Sequence, residues 1–375
     1  MNGSSIPAPT GGPAALAPER RLPVTVVTGF LGAGKTTLLR SLLLGSGQRL
    51  AVLVNEFGEV GIDGDLLRSC GFCPEEELDG RLVELTNGCL CCTVQDDFLP
   101  TMTTLLERAD QLDGIVVETS GLALPEPLVA AFQWPAIRAR TRVNGVVTVV
   151  DGEALAAGAV VADPAVLEAQ RLADPSLDHA TAIDELFAQQ LASADLVLIS
   201  RADRVDAAGL EQVRARVERR IRAGTPVLPM ARGAVAPELV LGLDQDHANG
   251  SHGRRAGDDQ DQDHDHDHDH DHEHHHHVAI EAQALQLPGC FERAEVERAL
   301  RQLIQGHGLV RLKGRLRLSG KARVLELQAV GPRLESWFSD AAGLQTDAPP
   351  GLEVVALGFQ QPADDLQSAL VELLS

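Results

Sequence analysis

Residues Gly29-Phe30-Leu31-Gly32-Ala33-Gly34-Lys35-Thr36 match the pattern G-x-x-x-x-G-K-[ST]. A β-branched run, 24–28, precedes them and a helix-like stretch, 36–44, follows. Glycines at these spacings let the backbone curl so that successive N–H groups point inward at phosphate oxygens. The N-terminus of the following helix adds its dipole. In that arrangement Lys35 reaches the β- and γ-phosphates, and the Thr36 hydroxyl is a ligand for Mg²⁺. Gly29, Gly32, Ala33, Gly34, Lys35, Thr36 and Thr37 are therefore candidate nucleotide-binding residues, with Lys35 and Thr36 also catalytic. The plainer alternative, a glycine-rich turn beside a lysine, does not account for the strand and helix on either side.

This strand–loop–helix unit fits a wider alternation. Short apolar runs at 24–28, 50–55, 114–118, 145–151 and 196–200 are separated mostly by longer amphipathic stretches. Near-continuous apolar strands alternating with helices predict an α/β fold: a P-loop NTPase parallel sheet with helices on both faces. From about 233 to 277 the composition changes to Asp, Gln, Gly and His, with Asp and His alternating from Asp263 to His272. Such a stretch cannot bury a core and is expected to be disordered when unliganded. Beyond it, strand- and helix-like segments in the order β-α-β-β-(β)-α predict a smaller C-terminal α+β domain. The expected division is a tail, 1–22, a nucleotide domain, 23–232, an Asp/His-rich linker, 233–277, and a C-terminal domain, 278–375.

The 375 residues carry 54 acidic against 32 basic side chains, a net charge of −22. That balance argues against nucleic acid, whose binders are basic, and against docking on anionic lipid. No run of 18 apolar residues is present, so no membrane span is expected. The Pro/Gly/Ala-rich start lacks the basic and apolar regions of a signal peptide. Five of the six cysteines lie between Cys70 and Cys92. That clustering points to metal or redox chemistry in a reducing cytoplasm, not to a disulfide framework.

Other motifs bear on the same site. In Ile115-Val116-Val117-Glu118-Thr119-Ser120-Gly121 an apolar strand delivers a carboxylate to a small-residue turn, the Walker-B arrangement that supports Mg²⁺. Glu118 is accordingly a third catalytic candidate. Asn55-Glu56-Phe57-Gly58 and the glycine-punctuated stretch after it, with Asp63, form a loop suited to switching with the γ-phosphate. Glu56 and Asp63 are candidates for Mg²⁺ or water contacts, against the alternative of solvated acidic turns. Strand 196–199 leads into Ser200-Arg201-Ala202-Asp203. Asp203 can accept from the ring N–H and amino group of guanine, and Arg201 can lie over the base, so GTP is favoured over ATP.

Cys89-Leu90-Cys91-Cys92 places three thiols within four residues. Thiolates are soft ligands suited to Zn²⁺, Co²⁺ or Cu⁺, and Cys89, Cys91 and Cys92 are the candidate metal ligands. Cys70 and Cys73 are read equally as a redox pair or as two loop thiols. The Asp/His tract can collect divalent ions weakly and is equally a solvated linker.

Taken together, residues 29–37, 55–58, 89–92 and 118–121, the His-rich insert and the C-terminal unit resemble the CobW-type metal-chaperone GTPases. These are relatives of the hydrogenase and urease nickel-insertion GTPases. The stretches 118–125, 144–151 and 325–332 are similar to the cobalamin-biosynthesis branch of that family. The resemblance implies Mg²⁺- and GTP-dependent cobalt handling, with delivery to the cobaltochelatase that loads the corrin ring. Ser200-Arg201 departs from the family's Asn-Lys. Close rivals are a zinc chaperone or nitrile-hydratase activator of the same family. More distant ones are a non-catalytic metal buffer and an ATP-using kinase.

Overall fold

The computed structural model describes residues 21–55, 82–85, 98–173, 183–242, 280–339, 348–359 and 363–375. Chain order begins β1 (Leu22–Thr28), α1 (Lys35–Gly45), β2 (Leu50–Asn55), β3 (Leu82–Leu85), α2 (Phe98–Glu107), β4 (Gly114–Glu118), α3 (Pro125–Ala131) and α4 (Pro135–Arg138). It continues β5 (Thr141–Asp151), α5 (Gly152–Ala156), α6 (Pro164–Ala173), α7 (Ile183–Ser193), β6 (Leu196–Ser200), α8 (Ala207–Glu218), β7 (Val227–Pro229) and α9 (Pro237–Leu241). These strands form one sheet in the order β3-β2-β4-β1-β5-β6-β7, and each neighbouring pair is parallel.

Every residue of β4 and β6 is buried, as expected for strands covered on both faces. Side chains alternate between those faces. Val116 joins Val27 and Val149 under Leu38, Leu39 and Leu42 of α1. Ile115 and Val117 join Val24 and Val26 under Phe98, Met102 and Leu105 of α2. Phe98 meets Phe132 edge-on, with ring centroids 5.3 Å apart. Because the strands are parallel, their carboxyl ends share one edge. The loops after β1, β4, β5 and β6 therefore converge there.

The C-terminal unit comprises β8 (Ile280–Pro288), α10 (Arg293–His307), β9 (Leu309–Arg317), β10 (Leu325–Val330), β11 (Arg333–Phe338), β12 (Gly351–Phe359) and α11 (Ala363–Leu374). Its antiparallel sheet runs β11-β10-β9-β12-β8. Leu300 and Leu303 of α10 and Leu366 and Leu370 of α11 close one face over Leu285, Leu312 and Val354.

The two sheets share a packed junction. Val310, Val330 and Leu357 of the second join the α1 cluster of the first. A Cβ on Gly145 of β5 would sit 2.6 Å from Val330 Cγ1, so the absence of a side chain there admits Val330. Fully buried Asp195 accepts from Val146 N (2.9 Å), from Arg222 Nη2 (2.5 Å) and, across the junction, from Arg333 Nε (2.6 Å).

Three expected boundaries need correction. β1 starts at Leu22, which is buried, one residue inside the expected tail. β5 starts at Thr141, not at 145, because the polar Arg142 and Asn144 face partners in the second sheet. Residues 237–241, assigned to the linker, form α9, with Pro237 at its first turn and Leu239, Val240 and Leu241 buried. No helix among the described residues is long and apolar enough to cross a membrane.

Candidate functional site

The turn after β1 depends on glycine. Gly29, Gly32 and Gly34 have φ of 139°, 71° and 104°. A Cβ on Gly29 would lie 2.1 Å from the Val149 carbonyl oxygen of β5, so the loop can turn off the sheet only without one. Ala33 N donates to Phe30 O at 3.1 Å and tightens the turn. Left-handed Gly34 is the N-cap of α1, and no acidic residue lies in that helix's first turn. The first-turn N–H groups, at the positive end of the helix dipole, are thus left to an anion.

Lys35 folds back across its own loop. Buried to 6% exposure, its Nζ donates to Gly29 O (2.9 Å) and Phe30 O (3.2 Å) and lies 3.8 Å from Glu118 Oε1. Glu118 is also buried, at the end of β4. Thr36 is half-buried in the first turn of α1, and Thr37 is exposed. A buried carboxylate and a hydroxyl beside a phosphate-shaped turn are hard oxygen donors, and they fit Mg²⁺.

Neighbouring segments fix the turn after Glu118. Thr119 Oγ1 donates to Thr28 Oγ1 (2.8 Å) and Thr119 N to Val27 O (2.9 Å), tying it to β1. A Cβ on Gly121 would sit 2.6 Å from Leu31 N, so this turn and the phosphate loop touch. From α7, buried Gln190 donates through Nε2 to Gly121 O (3.3 Å) and Ala123 O (2.9 Å).

Ser200, Arg201 and Asp203 come to the same edge at the end of β6. Buried Ser200 donates to Val150 O at 3.1 Å. Arg201, with φ of 52°, pairs with Asp151 and donates through Nη2 to Gly32 O at 3.0 Å. The side chain set over a base by the sequence reading is thus engaged between β5 and the phosphate loop. The cause is register: Asp151 lies opposite Ser200 at the ends of neighbouring strands. Asp203, exposed, lies 3.8 Å from Arg232 Nε.

Asp151 and Gln190 escape sequence reasoning. Asp151 also caps α5 by accepting from Ala154 N (3.1 Å), and the Asp-Gly step at a strand end is its only local signal. Gln190 is one polar residue on an amphipathic helix and carries none. Glu56, Asp63, Cys70, Cys73, Cys89, Cys91 and Cys92 lie outside the described residues. No group of three His, Cys, Asp or Glu among the described residues could hold a metal ion.

Two family profiles cover most of the chain. The CobW/HypB/UreG nucleotide-binding domain matches residues 23–229, and the cobalamin synthesis protein cobW C-terminal domain matches 280–374. The chain is 48% identical over 329 residues to a Pseudomonas aeruginosa protein named zinc chaperone CobW, covering 86% of this chain and 85% of that one. The chain belongs to the CobW/HypB/UreG family. A Sinorhizobium protein, also named zinc chaperone CobW, is 42% identical over 92% of this chain and 95% of its own. Zn(II)-bound YjiA GTPase from Escherichia coli aligns at 24% identity with a TM-score of 0.40, covering 95% of this chain and all of that one. The family is one of P-loop GTPase metallochaperones, so this chain is a GTPase that handles a metal cargo.

Proposed function

We propose that the chain is a GTP-hydrolysing metallochaperone whose cargo is Zn²⁺, held by Cys89, Cys91 and Cys92 and released to a client metalloprotein on hydrolysis. The observation that carries this reading is a shared edge. Lys35 and Glu118 meet at 3.8 Å where the parallel strands end, and β3, ending at Leu85 on that edge, leads four residues later to Cys89.

These residue roles belong to the same reading. The α1 N-terminus binds phosphate oxygens, and Lys35 Nζ exchanges the Gly29 and Phe30 carbonyls for β- and γ-oxygens. Thr36 and Glu118 would hold Mg²⁺, with Glu56 and Asp63 as further candidates, and the ion would supply positive charge against the nucleotide phosphates. Asp203 supplies the acceptor pair for guanine, and the Arg201–Asp151 pair steadies Gly32 beneath the phosphates. In sequence, Glu56 and Asp63 follow β2 and the thiols follow β3, two strands that pair in parallel, and this reading couples γ-phosphate contacts to the cargo ligands through them.

Zinc is preferred for two reasons. Three thiolates suit tetrahedral Zn²⁺, and divalent affinity rises from Co²⁺ to Zn²⁺ at ligands of this kind. The Pseudomonas aeruginosa and Sinorhizobium relatives, each aligned over more than four-fifths of this chain, are both named zinc chaperones. Cobalt and a cobaltochelatase client rest on the cobalamin-branch resemblance alone. The test is metal analysis of the full chain after exposure to equal Zn²⁺ and Co²⁺ with GTP, alongside phosphate release. Zinc retained with GTP turnover is expected. Retention of cobalt would overturn the cargo assignment, and absence of phosphate release would overturn the mechanism.

A further inference from the structure

A cleft of about 610 Å³ opens between the two sheets, on the side away from the phosphate loop. Its first wall carries Arg21, Arg138 and Arg142, and its second carries Arg293 and Arg301 of α10 with Trp337 of β11. Five arginines against two glutamates, Glu297 and Glu335, line it, a local excess of positive charge in a chain of net charge −22.

The carboxylates in the lining do not cancel it. Glu297 accepts from Arg293 Nε (2.8 Å) and Ser336 Oγ (2.5 Å) and lies 3.8 Å from Arg301. Burial pushes its carboxyl up, but the Ser336 and Arg293 hydrogen bonds hold it below the ordinary range, so it stays charged within its own arginine pair. Glu335 lies 3.8 Å from Arg333 Nη1, a cation outside the lining, and is also within the electrostatic reach of Arg142 and Arg21. Arg21 and Arg138 make no ion pair with a described residue. Arg142 Cζ lies over the Trp337 ring, 4.7 Å from its centroid, with Gln328 as a hydrogen-bond partner.

We propose that this cleft is a binding site for a small polyanion bearing two or more phosphate or carboxylate groups. Planar guanidinium forks bind such groups bidentately. The volume lies in the range of small-molecule sites. Arginines on both walls would grip a ligand with two anionic ends, bridging the N-terminal and C-terminal units. The site is separate from the GTP site: Arg21 and Thr141 mark the amino ends of β1 and β5, while the phosphate loop follows the carboxyl end of β1. A strand of this length sets them about 20 Å apart.

The test uses the full chain saturated with GDP, so that the phosphate loop is filled, with no free Mg²⁺, which both probes would chelate. Inorganic pyrophosphate and citrate are titrated separately by calorimetry at low ionic strength, which also tells a phosphate ligand from a carboxylate one. Saturable one-to-one binding of at least one is expected, weakening with added salt. The double variant Arg21→Ala/Arg138→Ala, altered at two exposed positions, should lose at least tenfold in affinity with GDP affinity unchanged. No saturable binding of either anion, or a loss below threefold in the double variant, would overturn the proposal.

Discussion

Arg311 is the side chain on which the junction of the two sheets most depends, and Arg311→Met measures how much. It is 2% exposed on β9 and reaches into the first unit. Its Nε donates to Leu239 O at 2.7 Å, its Nη1 to Asn144 Oδ1 at 3.1 Å, and its Nη2 to Val240 O. Burial pushes its pKa down to about 9, with Asp195 raising it and Arg142 lowering it further. The group therefore stays protonated at neutral pH, and its contribution is the same at pH 6 and pH 8. Methionine fills similar space but offers no donor; Asn144 Oδ1 keeps Gln328 Nε2 and Val240 O keeps Thr25 Oγ1, while Leu239 O loses its side-chain donor. Three hydrogen bonds from a charged group, at about 1.5–3 kcal/mol each, less the relieved cost of burying the charge, give a net loss of about 3–5 kcal/mol. Urea unfolding followed by circular dichroism measures it, and Arg311→Lys should recover only part, since an ammonium lacks the fork. A loss below about 1 kcal/mol would refute the role assigned to these hydrogen bonds.

Three further outcomes are expected. Lys35→Ala should weaken GTP-analogue binding by about tenfold or more, the worth of a charge-assisted contact, as read by calorimetry. Gly29→Ala forces a methyl against the Val149 carbonyl and should both lower stability by about 1–3 kcal/mol and remove nucleotide binding, as seen in thermal melts and titration. Cys89→Ala with Cys91→Ala should abolish tight zinc uptake in a competition with a chromophoric chelator and leave GDP affinity within about twofold.

The parallel core was legible because its central strands read as uninterrupted apolar runs, and 50–55, 114–118 and 196–200 match β2, β4 and β6 residue for residue. β3 and β7 escaped because four and three residues carry no usable period, and Pro229 ends the second. The start of β5 escaped for a different reason. Thr141-Arg142-Val143-Asn144 is polar where it faces the second sheet, and only the tertiary partners Gln328, Trp337 and Arg311 explain those side chains. At the site, the phosphate turn was legible because its glycine spacing is itself the geometry. The Arg201–Asp151 bridge and the Gln190 strap were not, because they join residues 50 and 67 or more positions apart with nothing local to mark them.

The central claim is that triphosphate occupancy and thiolate coordination are energetically tied, and Zn²⁺ affinity measured in three nucleotide states tests it most directly. With a non-hydrolysable GTP analogue, zinc should bind at least tenfold tighter than with GDP or no nucleotide. Linkage then requires zinc to tighten the analogue by the same factor. Equal zinc affinity in all three states would contradict the account.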